Sequence, residues 1–407
     1  MKRKHLILTG SLVLCVGLWA LFFTCTHTEK KGAVEFKEIS LAELPALSCQ
    51  KVSGIIKAID ISVSILEKGK KDHVSILNKK IDTKALVNGL LSLKERLKEG
   101  QGLMTAIKDL FFIYELVENG KRNRLLVTGY YQPELQGSIN RDDMFTVPVL
   151  SRPLDLIGAR LKDFGKDLPG VTLWGRVEGQ RFLPYYERKE IQHRFKELPE
   201  LYPVLCWLRS QVDLLELQIQ GSGIVKLGSE RRFIHYAASN GLPYTSLGKL
   251  LLKKGILSPG DLDWPSIRRW AETHPEKFDK LLARNKRYVF FKWERQGPVG
   301  CFGHVLVPGV SAAFDRRIFP AGIPLWVSFV FPETRYKPEW MACSPSKRCV
   351  GLFVVNHDTG SAITGPFRMD LYIGTGQIAG MLAGKLKHRA RMFVLIPKNS
   401  IPDNLGE

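Results

Sequence analysis

The region from Tyr288 to the carboxyl terminus constrains the fold most, because short apolar runs follow one another there with glycine and proline between them. These runs predict strands near Val289 to Trp293, Leu325 to Phe331, Leu352 to Val355 and Met392 to Ile396. Many short strands with frequent breaks are typical of a small β-barrel. The 407 residues, 44% of them hydrophobic, are enough for a globular protein of two or three domains.

The region from residue 36 to residue 120 has a different texture, with apolar residues at helical spacing. Leu86, Leu90, Leu93 and Leu97 predict one helix, and a second run predicts another that ends at Asn119-Gly120. That second run comprises Ile107, Leu110, Phe111, Tyr114 and Val117. Further on, we expect strands over 124–131, 214–219 and 233–237, and helices over 246–254 and 265–283.

The amino terminus reads as a targeting segment. Four residues, Met1-Lys2-Arg3-Lys4, precede a run of apolar or small residues from Leu6 to Phe23, so residues 1–27 are predicted to be a signal peptide or a membrane anchor. Phe22-Phe23-Thr24 before Cys25 matches a lipoprotein cleavage site poorly, and lipidation, cleavage and retention all stay open. The chain from about residue 28 onward is therefore expected outside the inner membrane.

Charge and cysteine content narrow the choice of partners. Lys and Arg total 60 against 40 for Asp and Glu, a net charge of +20, which favours nucleic acid, phospholipid or an acidic cell-wall polymer. The seven cysteines form no metal-binding spacing, so neither a metal nor a cofactor is predicted. Cys343 and Cys349 enclose a turn-rich stretch and are candidates for a disulfide.

Aspartates beside apolar residues are the first candidates for chemistry. Asp358 and Asp370 lie twelve residues apart, each close to an apolar stretch and followed by glycine, and Asp315 has a comparable setting. Apolar surroundings raise the pKa of a carboxyl group, as a general acid working near neutral pH requires. The alternative is that these aspartates cap turns or pair with nearby arginines, which are Arg316, Arg317 and Arg368.

The tetrapeptide Asp358-Thr359-Gly360-Ser361 also resembles the loop of an aspartic protease. That chemistry needs two such loops sharing one proton. The chain contains no second Asp-Thr-Gly or Asp-Ser-Gly, which excludes the two-lobed form of that class.

Two further patches suit carbohydrate. Alternation over Leu217 to Gly223 predicts a strand with Gln218, Gln220 and Ser222 on one face, and neutral amides and hydroxyls match sugar hydroxyls. The Gly-Ser-Gly that ends this patch lacks the lysine of a phosphate-binding loop. Thr128-Gly129-Tyr130-Tyr131 and Pro243-Tyr244 supply aromatic rings beside glycine or proline, where they could stack on pyranose rings or pack in the core.

Taken in order along residues 124–397, about two thirds of the chain, these motifs resemble the membrane-bound lytic murein transglycosylase A family, whose carboxyl-terminal part is a three-aspartate, or 3D, domain. The motifs are Gly129-Tyr130-Tyr131-x-Pro133, Gln218-Ile219-Gln220-Gly221-Ser222-Gly223, Tyr236-Ala237-x-x-Asn240-Gly241-x-Pro243-Tyr244-x-Ser246-x-Gly248, Asn285-x-x-Tyr288-Val289-Phe290-Phe291 and the set Asp315, Asp358 and Asp370. Ser361 stands where the family usually has glycine, and Ala238-Ser239 replaces a Gly-Lys pair.

The resemblance implies a mainly β fold with N-terminal helices. A discontinuous double-psi β-barrel would comprise residues 36–135 and 296–400, and an inserted β-rich domain, residues 136–295, would bind substrate across a groove. Asp370 would be the single catalytic acid and base, with Asp358 orienting it or the substrate. The implied sugar-binding residues are Thr128, Tyr130, Tyr131, Gln218, Gln220, Ser222, Asn240, Tyr244, Lys292 and Asp315.

The activity implied is cleavage between N-acetylmuramic acid and N-acetylglucosamine in peptidoglycan, with 1,6-anhydro products. Glycan strands would be the substrate, the N-terminal segment would attach the protein to a membrane in the periplasm, and cell-wall synthesis proteins are candidate partners. Two alternatives stay open: a hydrolase that uses two carboxylates, and a non-catalytic, expansin-like wall-binding protein. Nucleic acid is not expected as a partner, since no recognisable binding module occurs.

Overall fold

The computed structural model describes residues 33–40, 43–44, 48–77, 79–122, 125–258, 262–331, 337–342, 349–360 and 362–400. The predicted signal or anchor segment 1–27 and the suggested pairing of Cys343 with Cys349 lie outside the described residues. Cys49 is disulfide-bonded, whereas Cys206 and Cys301 are free thiols. Within the described ranges, no helix has the length and apolar character needed to cross a bilayer.

Helices cover the amino-terminal part and flank the strands elsewhere. In chain order they are α1 (Val52–Lys68), α2 (Thr83–Lys98), α3 (Leu103–Leu110), α4 (Arg188–Glu197), α5 (Gln211–Gln220), α6 (Leu247–Lys253), α7 (Trp264–Thr273), α8 (Pro275–Leu282) and α9 (Gly376–Lys385). Asp82 caps α2 by accepting a hydrogen bond from the backbone N–H of Ala85. The predicted leucine repeat is confirmed, because Leu86, Leu90, Leu93 and Leu97 are all buried on one side of α2.

The strands fall into two large sheets and two small ones. They are β1 (Val34–Glu38), β2 (His73–Ile76), β3 (Lys79–Asp82), β4 (Phe111–Glu118), β5 (Lys121–Arg122), β6 (Leu125–Gln132), β7 (Glu134–Ser138), β8 (Val147–Leu150), β9 (Ile157–Arg160), β10 (Thr172–Glu178), β11 (Arg181–Pro184), β12 (Val204–Leu208), β13 (Ser222–Leu227), β14 (Glu230–Ser239), β15 (Val289–Glu294), β16 (Ser311–Ala313), β17 (Pro324–Val330), β18 (Cys349–Asp358), β19 (Arg368–Thr375) and β20 (Lys387–Pro397).

Strand β20 closes the larger sheet into a ring. Its residues 387–390 pair with β6, 391–394 with β17 and 393–397 with β4. The ring therefore runs β6, β19, β16, β18, β17, β20 and back to β6. The pairs β19–β6 and β16–β18 are parallel and the others antiparallel. Buried residues inside this ring form one core together with α1, α2 and α3.

The second large sheet has the order β15-β14-β13-β7-β12-β8, and its buried face forms a separate core. Ser151, just after β8, bridges to Phe291 of β15 and brings the two edges together. A third core is helical and joins α5 to α6, α7 and α8. The mainly β fold with N-terminal helices is confirmed, and the double-psi connection and the domain boundaries given above stay predictions.

Three predicted elements differ from the structure. The helix expected over 265–283 is two helices, α7 and α8, which are separated at His274 and Pro275. Residues 111–118 form a strand and not the end of a helix, because β4 lies between β1 and β20 and both its faces are largely buried. Residues 214–219 belong to helix α5 and not to a strand. Leu214 and Leu217 face the core of the second sheet while Val212 and Leu215 face the helical core. Its polar residues Asp213 and Glu216 are buried as well, so the helix has no exposed polar side to mark its period.

Candidate active site

Four residues on four adjacent strands form a row across the ring. Ala313 of β16 pairs with Asp358 of β18 on one side and with Asp370 of β19 on the other, and Asp370 pairs in turn with Thr128 of β6. Paired residues of neighbouring strands point to the same face, and strands lie ~4.8 Å apart. The α-carbons of the two aspartates are therefore roughly 10 Å apart with the small Ala313 between them. A register shift at Ala313 against β18 accompanies this arrangement.

The surroundings of Asp370 shift the pKa of its carboxyl group toward neutral pH. Burial is the largest influence and raises its pKa to about 6, and the charge of Asp358 acts in the same direction. The hydroxyl of Thr128 donates a hydrogen bond to Oδ1 of Asp370, and with the guanidinium of Arg368 it lowers the pKa. The carboxyl group can therefore carry or release a proton near neutral pH.

Asp358 is held by three donors. Its Oδ1 accepts the backbone N–H groups of Cys301 and Thr359, each at 2.9 Å, and its Oδ2 accepts the hydroxyl of Tyr130 at 2.9 Å. Burial raises its pKa, although these bonds act against the rise. An aspartate whose two oxygens are already engaged is suited to orienting neighbours rather than to attacking a substrate.

Tyr130 forms the wall beside both aspartates. Its ring lies 5.4 Å from that of Tyr372, centroid to centroid. Burial and the neighbouring Asp358 raise the pKa of its hydroxyl well above the ordinary value, so this group donates and does not ionise. Gly129, the preceding residue, is required by packing, because a Cβ there would come within 2.9 Å of the α-carbon of Ala383 in α9.

A buried histidine supports the strand that presents Asp358, and sequence reasoning missed it. His357 Nδ1 lies 2.8 Å from the hydroxyl of Ser311, and Nε2 lies 2.9 Å from that of Ser62 in α1. Ser62 donates to the carbonyl of Ala58, so it accepts from Nε2–H of the histidine. Burial lowers the His357 pKa to about 3, which keeps the ring neutral. The sequence carries no signal that pairs residues 62 and 357.

Asp315 is paired with an arginine, which is the alternative to a catalytic role that the sequence left open for all three aspartates. Arg317 donates to both of its oxygens, at 2.8 and 2.6 Å, and the backbone N–H of Gly365 donates to Oδ2. These bonds lower its pKa to about 2. Asp315 thus organises a turn as a carboxylate, and a role for it in sugar binding stays a prediction.

Three of the predicted sugar-binding residues are buried in the structure. Tyr131 is only 5% exposed and its hydroxyl donates to Glu216 of α5. Gln218 accepts from Arg188 at 2.6 Å and donates to the carbonyl of Val289. Asn240 is fully buried and its side chain bonds only backbone groups. Core packing and loop closure engage all three side chains, and a role for them in sugar binding stays a prediction.

The other predicted binding residues keep some access to solvent. Gln220 at the end of α5 accepts from the backbone N–H of Tyr131 at 3.2 Å, and Ser222 opens β13 directly after the left-handed Gly221. Tyr244 is 43% exposed. Lys292 is exposed and pairs with Glu294 at 2.9 Å.

Metal ligands are not grouped anywhere in the part of the chain that the structure describes, where no set of three or more His, Cys, Asp or Glu side chains converges. The carboxyl and hydroxyl groups of the row can take part in proton transfer.

Comparison with known proteins places this arrangement in a family. The model of the MltA specific insert domain matches residues 126–292, and that of the 3D domain matches residues 310–396. The chain is 32% identical over 229 residues to the membrane-bound lytic murein transglycosylase A of Escherichia coli K12, which covers 54% of this chain and 60% of that protein. The chain thus spans 60% of that relative's length, which is less than two thirds.

Solved structures match over more of the chain. A membrane-bound lytic murein transglycosylase from Agrobacterium tumefaciens is similar with a TM-score of 0.70 and 25% identity, over 90% of this chain and 98% of the other. The monoclinic form of MltA from Neisseria gonorrhoeae is similar with a TM-score of 0.71 and 26% identity, over 91% and 94% of the two chains. With both domain models matched in sequence and these structures matched in fold, the chain belongs to the MltA-type family.

Proposed function

We propose that the protein is a lytic transglycosylase that cleaves the β-1,4 bond between N-acetylmuramic acid and N-acetylglucosamine in peptidoglycan. The observation that supports this most is the environment of Asp370, a carboxyl group with a pKa of about 6 beside Thr128 and Tyr130. The names of the related proteins from Escherichia coli and Agrobacterium tumefaciens, both murein transglycosylases, support the same substrate.

In the proposed reaction Asp370 acts twice. In its protonated form it donates its proton to the glycosidic oxygen and so assists departure of the leaving sugar through an oxocarbenium-like transition state. As a carboxylate, it then accepts the proton of the muramyl 6-hydroxyl while that oxygen attacks the anomeric carbon. The bond between C1 and O6 forms as the bond to the leaving oxygen breaks, the proton count balances, and no water is consumed. Intramolecular attack gains from the high effective concentration of the 6-hydroxyl.

Hydrolysis by two carboxylates is the second candidate, and the surroundings of Asp358 argue against it. A hydrolase needs its second carboxylate positioned to activate water or to attack the sugar. In this protein both oxygens of Asp358 accept hydrogen bonds, from Cys301, Thr359 and Tyr130. We assign Asp358 the positioning of Tyr130 and of the loop around Cys301.

We also propose that the protein is exported and attached to a membrane. Two relatives carry the words membrane-bound in their names, and the basic and apolar start of the chain suits export and membrane attachment in the periplasm. The excess of positive charge suits the lactyl and peptide carboxylates of murein.

The test is digestion of purified sacculi with product analysis by mass spectrometry. We expect the wild-type protein to release muropeptides with 1,6-anhydro ends and Asp370→Asn to release at least about 100-fold less, since general acid–base catalysis contributes that much or more. Asp167→Asn, which makes the same charge change at an exposed position outside the row, is the control and should keep full activity.

The products also separate the alternatives. Reducing ends would establish a hydrolase and reject the transglycosylase, and unchanged sacculi that still bind the wild-type protein would identify a non-catalytic wall binder. Wild-type turnover by folded Asp370→Asn would remove Asp370 as the acid.

A further inference from the structure

A cavity of about 380 Å³ lies in the second sheet region, away from the row of Asp358 and Asp370. Residues of α4, β12, α8 and the amino-terminal end of α5 line it. Gln211 at this end of α5 lines the cavity, whereas Gln220 at the other end contacts Tyr131, next to Tyr130 of the row. A helix of ten residues is about 15 Å long, so the cavity is separated from the proposed catalytic groove by the length of α5.

One wall of the cavity is aromatic. The rings of Phe195 and Trp207 lie 6.1 Å apart and are tilted against each other. The guanidinium of Arg141 lies 5.8 Å from the centre of the Trp207 ring. The volume and this apolar wall are in the range of small-molecule sites, which combine apolar surface with a few polar groups.

Several polar groups of the cavity lack a hydrogen-bond or ion-pair partner among the described residues. Oε1 of Gln211 is buried and accepts no hydrogen bond. Arg141 and Lys196 are exposed at the cavity and form no ion pair with any described residue. Asp279 lines the cavity too and is likewise without an ion pair in the described ranges. A buried acceptor without a donor costs free energy, which a ligand with an N–H group would recover.

We propose that this cavity is a binding site for a short peptide that carries a free carboxylate. The carboxylate would pair with Arg141 and Lys196, N–H or ammonium groups would donate to Gln211 and Asp279, and an apolar side chain would pack on Trp207 and Phe195. A phosphate or a nucleotide fits less well, because Asp279 would repel it while offering nothing to its oxygens. A neutral sugar would leave both cations unpaired.

The choice of probe rests on the proposed function, because murein carries such peptides, but the site itself does not. The experiment titrates the full-length protein with the free stem peptide cut from murein by an amidase, and separately with glycan strands stripped of peptide. Binding is followed by calorimetry and by tryptophan fluorescence. We expect saturable peptide binding that weakens about tenfold or more in Lys196→Glu and in Arg141→Glu.

Matched controls decide the location. Lys189→Glu makes the same charge change on the exposed side of α4 outside the cavity and should bind the peptide like the wild type. Asp370→Asn should also bind it normally. Absence of saturable binding up to about 10 mM peptide, or equal affinity in the Lys196, Arg141 and Lys189 variants, would overturn the site. Loss of peptide binding in Asp370→Asn would show that the peptide binds in the catalytic groove, and this result would also overturn the proposed site at the cavity.

The two proposals fail separately. Normal anhydro-muropeptide release from sacculi without peptide binding rejects the second site alone. Peptide binding that depends on Lys196 in a protein without lytic activity rejects the transglycosylase and leaves the site standing.

Discussion

The ionisation of Asp370 results from groups that oppose one another. Burial and the charge of Asp358 raise its pKa, while the Thr128 hydroxyl and Arg368 lower it, and the outcome is a pKa of about 6. Asp315 is also an aspartate near arginines and apolar residues, yet direct bonds from Arg317 lower its pKa to about 2. The two aspartates differ because burial dominates at Asp370, whereas at Asp315 a guanidinium bonds both oxygens directly.

Removing single contributions should move the pH profile in opposite directions. General acid catalysis needs protonated Asp370, so kcat/KM should fall as pH rises through its pKa of about 6. Thr128→Val removes a bond that favours the carboxylate, so the pKa rises and the fall moves to higher pH. Asp358→Asn removes a negative neighbour, so the pKa drops and the fall moves to lower pH. The measurement is kcat/KM for solubilised glycan strands between pH 4 and pH 9.

Thr128→Ser is the control for this pair, since it keeps the hydroxyl and should leave the profile near that of the wild type. If the Val and Asn variants shifted the fall in the same direction, Asp370 would not be the group that titrates.

Sequence reasoning found the aspartates because they stand in distinctive motifs, but it could not orient every neighbour. Tyr130 and Tyr131 are consecutive in β6, and consecutive strand residues point to opposite faces, so only one of them can line a cleft. Packing decides which: Tyr130 bonds Asp358, and Tyr131 is buried against Glu216. The partners of His357 in α1 and β16 are far away in sequence and are visible only in the fold.

At the scale of elements, α5 shows why a local pattern can mislead. Apolar residues alternate with polar ones over 217–220 as in a strand. The helix is instead set by its ends: Ser210 accepts from the backbone N–H of Asp213, and Gly221 ends it with φ 78°. Of the ring strands after residue 288, β17, β18 and β20 are predicted by apolar runs bounded by glycine and proline, whereas the three-residue β16 and the strand β19 are not predicted.

The end of α5 gives a stability prediction. Gly221→Ala forces a side chain into left-handed backbone at a place where nothing lies within 4 Å of the new Cβ, so the cost is conformational and should be about 1 kcal/mol. Gly54→Ala inside α1 is the matched substitution. Its Cβ would make ordinary contacts at 3.7 and 3.8 Å, so we expect a gain of about 0.5–1 kcal/mol. Urea denaturation measures the change in the free energy of unfolding for both variants, provided that the m value stays that of the wild type. Equal effects of the two changes would mean that Gly221 is not needed for its backbone conformation.

At the scale of the whole molecule, one buried polar cluster joins the ring to the helical core. The hydroxyl of Tyr131 in β6 donates to Glu216 of α5. Arg268 of α7 donates to Glu216 at 2.9 Å and to Asp213 at 2.6 Å. Since α7 also packs against α9, which covers β6, the cluster fixes α5 relative to the strand that carries Thr128 and Tyr130. No motif in the sequence reveals it, because its four members come from three distant segments.

Replacing Arg268, the cation of this cluster, should lower the free energy of unfolding by an amount that depends on pH. Burial already raises the Glu216 pKa, and Arg268 lowers it, so Arg268→Met raises it further. A carboxyl group whose pKa is raised by folding stabilises the protein less as pH rises through that pKa. We therefore expect a loss of about 2–3 kcal/mol at pH 8 that shrinks toward pH 5, measured by urea unfolding. Tyr131→Phe, which removes one hydrogen bond and keeps the ring, should cost about 1–2 kcal/mol.

Arg269→Met, at an exposed position of α7 next to Arg268, is the control and should change stability little at either pH. A loss in Arg268→Met that stays the same from pH 5 to pH 8 would show that packing of the long side chain, and not its charge beside Glu216, holds α5 in place.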